Sequence, residues 1–289
     1  MGELQCVVDS RDILGEGPFW DPRQERIYWF DIKGKKLHWF SPGAGSGGDM
    51  ALPVRCSAAA PRSRGGLIVA CEQGLAGIDP DRATFALIDP VPLNAGFRSN
   101  DGKIDVAGRF WWSTMDDEGG RRPGDLYRTD PDGFTEKVLG GIHIPNSLAC
   151  NPAGDRLYVA DTKVQTIFVH DMDPQTGALS NRRAFADTRG TDAGPDGSAM
   201  DAEGFLWNAQ WGAWRIVRYA PDGSVDRIVE TPVEQPSCCA FGGADLSTLY
   251  VTSAREDLSE AALAGQPQAG GLFAFQPGVR GLPLPMFEG

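Results

Sequence analysis

The sequence predicts an all-β protein, one six-bladed β-propeller spanning residues 1–289, on three observations. A turn followed by an apolar strand start recurs six times. It is seen at Asp21-Pro-Arg-Gln-Glu-Arg-Ile-Tyr, Arg62-Ser-Arg-Gly-Gly-Leu-Ile, Asp105-Val-Ala-Gly-Arg-Phe-Trp, Asn151-Pro-Ala-Gly-Asp-Arg-Leu-Tyr, Asp201-Ala-Glu-Gly-Phe-Leu-Trp and Gly243-Ala-Asp-Leu-Ser-Thr-Leu-Tyr. The starts at 21, 62, 105, 151, 201 and 243 are 41 to 50 residues apart, the period of propeller blades rather than of helical repeats. Between them lie short strand-like runs and no amphipathic helix. Finally, the residue five positions before each turn start is Glu16, Ser57, Asn100, Asn146, Asp196 or Cys238. Equivalent points on innermost strands form a ring at one mouth of a propeller's channel, and four of these six residues carry hard oxygen donors.

In chain order, Leu4 to Asp9 (LQCVVD) is expected as a strand that completes the last blade and removes an open edge. Blade one opens at Gly15-Glu16-Gly17-Pro18. Its loop contains Gly43, Gly45 and Gly48, a formal GxGxxG, but the residues after it read as a strand, so a dinucleotide fold is discarded. Blade two begins near Ser57 and has the weakest turn marker. Blade three begins near Asn100 and includes Gly119 to Gly124, expected as a mobile loop. Blades four, five and six begin near Asn146, Asp196 and Cys238. The Pro- and Gly-rich tail from Gln276 to Gly289 is expected on the surface.

Composition bounds the function. The chain has 27 Lys and Arg against 39 Asp and Glu, a net charge of −12. Such acidity argues against nucleic acid or an anionic membrane as partner. There is no signal-like start and no run long enough to span a membrane, so a cytoplasmic protein is expected, and a monomer. The six cysteines show neither CxxC spacing nor a disulfide framework and are read as thiols. With three histidines and no HExxH or HxH, a histidine-rich zinc site is not expected. The absence of GxSxG argues against a serine hydrolase.

The ring carries the chemistry. Pro-Asp-Gly is a common turn signal, and at Pro131 and Pro221 it ends outer strands. At Pro195-Asp196-Gly197 it precedes an innermost strand, in register with Glu16, Asn100 and Asn146. An acidic, amide-rich ring without a cation would repel itself and leave its oxygens poorly satisfied. Glu16, Asn146 and Asp196 supply two charges and a neutral carbonyl, and would leave positions open for water and substrate on one divalent ion. Asn100 is expected to reach the ion through water or to contact substrate. Arg98, on the same face of an extended segment, is a fixed donor for substrate oxygens. An all-oxygen shell suits Ca²⁺, Mg²⁺ or Mn²⁺, and Zn²⁺ and Fe²⁺ accept such ligands; Ca²⁺ or Zn²⁺ is the expected ion.

Several segments resemble the gluconolactonase / senescence marker protein-30 family of six-bladed propellers, the sugar-lactone lactonases. They are Leu14-Gly-Glu16-Gly-Pro18, Arg98-Ser-Asn100-Asp-Gly-Lys103, Ser113-Thr-Met115, Ile144-Pro-Asn146, Gly194-Pro-Asp196-Gly, and Phe241-Gly-Gly243 with Leu249-Tyr-Val-Thr-Ser-Ala-Arg255. The resemblance implies that Glu16, Asn146 and Asp196 bind the metal and that Asp196 also serves as the acid/base residue. It implies that Arg98, Asn100 and Glu118 contact a sugar lactone, with Asp117 the neighbouring candidate for Glu118. Ser147 departs from the glycine that often follows the ligand asparagine. The implied reaction is metal-assisted hydrolysis of an aldonolactone to its aldonate. Two other readings remain: a metal-dependent esterase or phosphotriesterase on the same scaffold, and a non-catalytic calcium-binding propeller.

Overall fold

The computed structural model describes residues 3–289, which form six four-stranded antiparallel sheets arranged as the blades of a β-propeller. The innermost strands are Gly15–Asp21, Cys56–Pro61, Phe97–Ile104, Pro145–Cys150, Gly194–Met200 and Pro236–Gly242. In the first five blades the chain steps outward strand by strand. In the sixth, the outermost strand comes from the N-terminus: Gln5–Val8 pairs antiparallel with Leu272–Phe275, with Cys6 opposite Phe273. No helix of the described residues is long and apolar enough to cross a membrane.

The recurring turn has a physical job. In blade three, Asp105 accepts the backbone N–H groups of Ala107 and Arg109, then the Arg109 side chain at 2.6 Å and Trp111 Nε1 at 2.9 Å. In blade five, Asp201 accepts Glu203 and Phe205 N–H, Trp207 Nε1 at 3.0 Å and Arg218 Nε at 2.9 Å. The aspartate thus closes the turn and fixes a tryptophan of the next strand, so its burial costs little because every oxygen is occupied. The aromatics pinned in this way, Trp111 and Trp207, belong with Trp29, Trp112, Tyr28 and Tyr158 to the largest fully buried side chains, and they fill the space between blades.

Two loop expectations change. The segment 119–124 is held on several sides: Lys163 Nζ donates to Gly120 O at 2.8 Å, and Arg122 reaches Asp116 and Ala95 O. The tail does not simply lie on the surface. Gly281 N bonds Leu246 O and Phe287 N bonds Pro61 O, both at 2.8 Å, so residues 282–286 cross the second mouth of the channel. Phe287 is buried against Ile104, Phe110 and Trp112. Apolar Leu282, Met286 and Phe287 drive this burial, and the prolines hold the segment extended while removing donors that would otherwise need partners.

Candidate metal and substrate site

Each of the six innermost strands breaks its antiparallel register at the ring position. The shifts fall between Glu16 and Phe19, Cys56 and Ala58, Ser99 and Gly102, Asn146 and Ala149, Pro195 and Ser198, and Pro236 and Cys239. A bulge leaves one residue out of the ladder and turns its side chain away from the sheet. Here Asn100 and Asp196 fall inside the gap, Glu16 and Asn146 are the last paired residues before it, and all four are buried. The neighbouring glycines make room. A Cβ on Gly17, whose φ is +56°, would lie 2.0 Å from Ser57 O, and one on Gly197 would lie 2.1 Å from Cys238 Sγ.

Four of the six residues expected at the site are brought into one hydrogen-bonded line or its end points. Arg98 Nη1 donates to Asn100 Oδ1 at 2.7 Å, and Asn100 Nδ2 donates to Asn146 Oδ1 at 2.8 Å. Asn146 Nδ2 donates to Thr162 Oγ1 at 2.9 Å, and that hydroxyl donates to Pro195 O at 2.7 Å, one residue before Asp196. The line crosses blades three, four and five and fixes both amide orientations, with the Asn146 carbonyl oxygen turned to Asn100 and its amide nitrogen to Thr162. Asn208 Nδ2 anchors the Asp196 backbone oxygen at 2.7 Å.

Glu16 and Asp196 are scarcely paired. Glu16 Oε2 accepts the Gly17 N–H at 2.9 Å, and the Gly197 N–H stands in the same relation to Asp196. Burial, followed by the charge of Asp101, pushes the Glu16 carboxyl up to about 8. Burial, then Glu16, then Asp101 hold the Asp196 carboxyl well above the usual carboxylate range. Asp101 is itself buried, with its oxygens occupied by Gly102 N at 2.7 Å and Leu148 N at 2.9 Å. The described residues contain no group of three His, Cys, Asp or Glu placed to hold a metal, so a third protein donor would be a neutral oxygen such as the Asn146 amide. Two buried carboxylates with spare lone pairs beside an oriented carbonyl are a hard, oxygen-only donor set. They fit a divalent cation, which would relieve the repulsion that raises both acids.

Glu118 stands apart. Its side chain is 70% exposed and pairs with Arg121 at 2.9 Å. Asp117 faces inward instead, accepting Arg98 Nε at 2.8 Å, Lys33 Nζ at 2.9 Å and Arg55 Nη1 at 2.6 Å. Burial opposes its ionisation, yet these three cations outweigh it and hold the carboxyl far below its usual range. Ser147 adopts a left-handed φ of 60°, and its buried hydroxyl lies 2.6 Å from Ser198 Oγ. Sequence reasoning passed over Thr162, Asn208, Asp101, Lys33 and Arg55. Only Asp101 carried a local signal, as the neighbour of Asn100 in Asn-Asp-Gly; the others reach the mouth from second strands and loops, off the ring offset.

Residues 14–255 match the model of the SMP-30/Gluconolactonase/LRE-like region. The chain is 36% identical over 289 residues to the 6-deoxy-6-sulfogluconolactonase of Pseudomonas putida, covering 99% of both chains. It is 39% identical over 296 residues to the L-arabinolactonase of Azospirillum brasilense, covering 100% of this chain and 96% of that one. Its fold is similar to the crystal structure of a calcium-binding protein, regucalcin, from Agrobacterium tumefaciens. The TM-score is 0.93 at 34% identity, over 98% of this chain and 96% of that one. With these six blades, this bulged ring and full-length relatives of this kind, the chain belongs to the SMP-30/gluconolactonase/LRE-like family.

Proposed function

We propose that the protein is a lactonase that hydrolyses a sugar lactone to its aldonate, at a divalent-cation site formed by Glu16, Asn146 and Asp196. The observation that carries this reading is the pair of buried, under-satisfied carboxylates in the ring that also holds the Asn146 amide, in a chain whose full-length relatives include sugar lactonases. A divalent cation held there, Ca²⁺ or Zn²⁺, would supply a Lewis acid for the carbonyl oxygen and favour ionisation of water.

The chain's own groups do the rest. Arg98 and Asn100 bind and orient the hydroxyl-rich lactone at the mouth, Arg98 keeping donors beyond those given to Ser99 and Asn100. Asp117 aims the Arg98 guanidinium, and Glu118 lies on the rim with the 119–124 loop. Asp196 takes a proton as water adds to the carbonyl carbon, and returns one to the ring oxygen as the C–O bond breaks. Arg98 is placed to stabilise the developing oxyanion. The product is an anion and leaves a strongly acidic surface. We read the enzyme as a cytoplasmic monomer that needs no macromolecular partner.

The test is a panel of aldono-1,4- and 1,5-lactones followed by acid release, with chelator-treated protein and after return of single divalent ions. Turnover restored by one ion on one lactone class supports the reading. Cation binding without acceleration of any lactone over its spontaneous rate would make the site a calcium-binding one, and acceleration of simple esters or phosphotriesters alone would favour the other hydrolase reading.

A further inference from the structure

Most of the tryptophans are engaged by a neighbour. Trp29, Trp111, Trp112 and Trp207 are buried and donate their indole N–H groups to Asp12, Asp105, Thr129 and Asp201. Trp20 stacks on Tyr250, and Trp39 lies under the Arg26 guanidinium. Among the described residues, only Trp211 and Trp214 have an indole with no hydrogen bond, no ring partner and no cation over its face. Trp214 begins further out in blade five, its backbone bonded to Thr231 and Glu234. Trp211 ends the second strand of that blade and is partly exposed.

The position of Trp211 ties it to the ring. It stands opposite Gly194, two residues before Asp196. Trp207, Ala209 and Trp211 share one face of their strand, and this face packs toward blade six, where Trp207 meets Phe241 edge-on and Ala209 joins the cluster of Cys239. Trp211, at the mouth end of that face, packs against the cluster that contains Leu14 and Ala254. Leu14 is two residues before Glu16, so the indole lies along the rim between the strands that carry Asp196 and Glu16. A directly opposite side chain would ordinarily cover it, but Gly194 has none; a Cβ there would lie 3.7 Å from Trp211 Cβ.

From blade six round to blade three the rim is ionic instead: Glu256 pairs with Lys33, Lys33 with Asp117, and Asp117 with Arg55 and Arg98. A closed lactone ring suits walls of these two kinds, since its hydroxyl edge finds donors on Arg98 and its C–H face finds an indole. The open-chain aldonate has no flat apolar face. Resting on the lactonase reading above, we propose that Trp211 is a specificity-determining residue for that reaction, a platform that holds the closed lactone ring and gives nothing to the opened product.

The test compares the wild type with Trp211→Phe and Trp211→Leu, reading KM for the lactone, Ki for its aldonate, and the rise in melting temperature caused by the restoring cation. Trp211→Leu is expected to raise the lactone KM about tenfold and leave the aldonate Ki within about twofold, while Trp211→Phe stays close to the wild type in both. The cation response should be the same in all three proteins. Absence of metal-dependent lactone turnover in the wild type would remove the lactonase reading and the platform together. With the wild type active, three results would remove the platform alone: an unchanged lactone KM in Trp211→Leu, KM and Ki rising together, or a lost cation response. Should Trp211→Leu fail to fold, Trp211→Met carries the same comparison.

Discussion

Asn100 Nδ2 donates to Asn146 Oδ1 across 2.8 Å, joining the innermost strands of blades three and four through two side chains whose amides have no freedom left to flip. The proposed ligand amide is therefore oriented by the proposed substrate residue. Asn100→Ala is expected to raise KM by about tenfold through lost uniform binding, with a smaller fall in kcat as Asn146 loosens. Steady-state kinetics on the best lactone measure the split; a kcat collapse at unchanged KM would place Asn100 in the chemistry instead.

Asp196→Asn should separate catalysis from stability. Turnover is expected to fall by about a thousandfold or more, since the acid/base group and a charged ligand go together. In chelator the variant should melt above the wild type, because a buried carboxyl repelled by Glu16 and Asp101 has been removed. Adding the restoring cation should raise the wild-type melting temperature with ion concentration and leave the variant nearly unmoved. Near wild-type activity in Asp196→Asn would remove this residue from the mechanism.

Much of the site could be read from sequence because the fold repeats. The recurring turns mark each blade, three of them with an aspartate, and a fixed offset from their starts lands on the six bulges, so Glu16, Asn100, Asn146 and Asp196 emerge together. What was not legible depends on contacts between blades. Thr162 lies in the 3₁₀ turn after a second strand, and nothing local says that its hydroxyl bridges Asn146 to Pro195. The choice between Asp117 and Glu118 was hidden for a similar reason. The strand Phe110–Asp116 ends just before them, so the alternation of faces no longer applies. The tail had no periodicity to show that it would cross the second mouth.

Asp117 and Glu118 should respond very differently to loss of charge. Asp117→Asn leaves Lys33, Arg55 and Arg98 without the carboxylate they share, and is expected to cost about 1–3 kcal/mol and to raise KM as the Arg98 guanidinium drifts. Glu118→Gln touches one exposed pair and should stay within about 0.5 kcal/mol of wild type. Urea unfolding with lactone kinetics checks both. A large KM effect confined to Glu118→Gln would show that the rim loop closes on substrate.

Ser147 offers a test of local strain. Its left-handed backbone costs a non-glycine residue about 1 kcal/mol, and its hydroxyl contact with Ser198 returns a similar amount. Ser147→Gly is thus expected to be nearly neutral in urea unfolding. Ser147→Val should destabilise by about 2 kcal/mol or more, because a β-branched side chain disfavours this φ and leaves the Ser198 hydroxyl with Asn208 as its remaining partner. Equal effects of the two changes would mean that the backbone at this bulge is not what limits the position.

His170 gives the fold a pH dependence away from the site. It is buried on the strand Thr166–Met172, beside Arg182 and Arg183, with Asp171 only partly offsetting their charge. Burial first, then the two arginines, lower its pKa from 6.5 to about 4. Above pH 6.5 the ring is neutral in both states and contributes nothing to the pH slope. As pH falls below 6.5 the unfolded chain takes up a proton that the folded protein refuses, so stability declines until about pH 4, where the loss is complete. Allowing for solvent screening, the loss amounts to about 2 kcal/mol. His170→Gln should flatten this part of the profile, and the difference between variant and wild-type unfolding free energies at pH 7.5 and pH 5 isolates it from carboxylate titration. An identical slope in both proteins would mean that the folded chain protonates His170 as readily as the unfolded one.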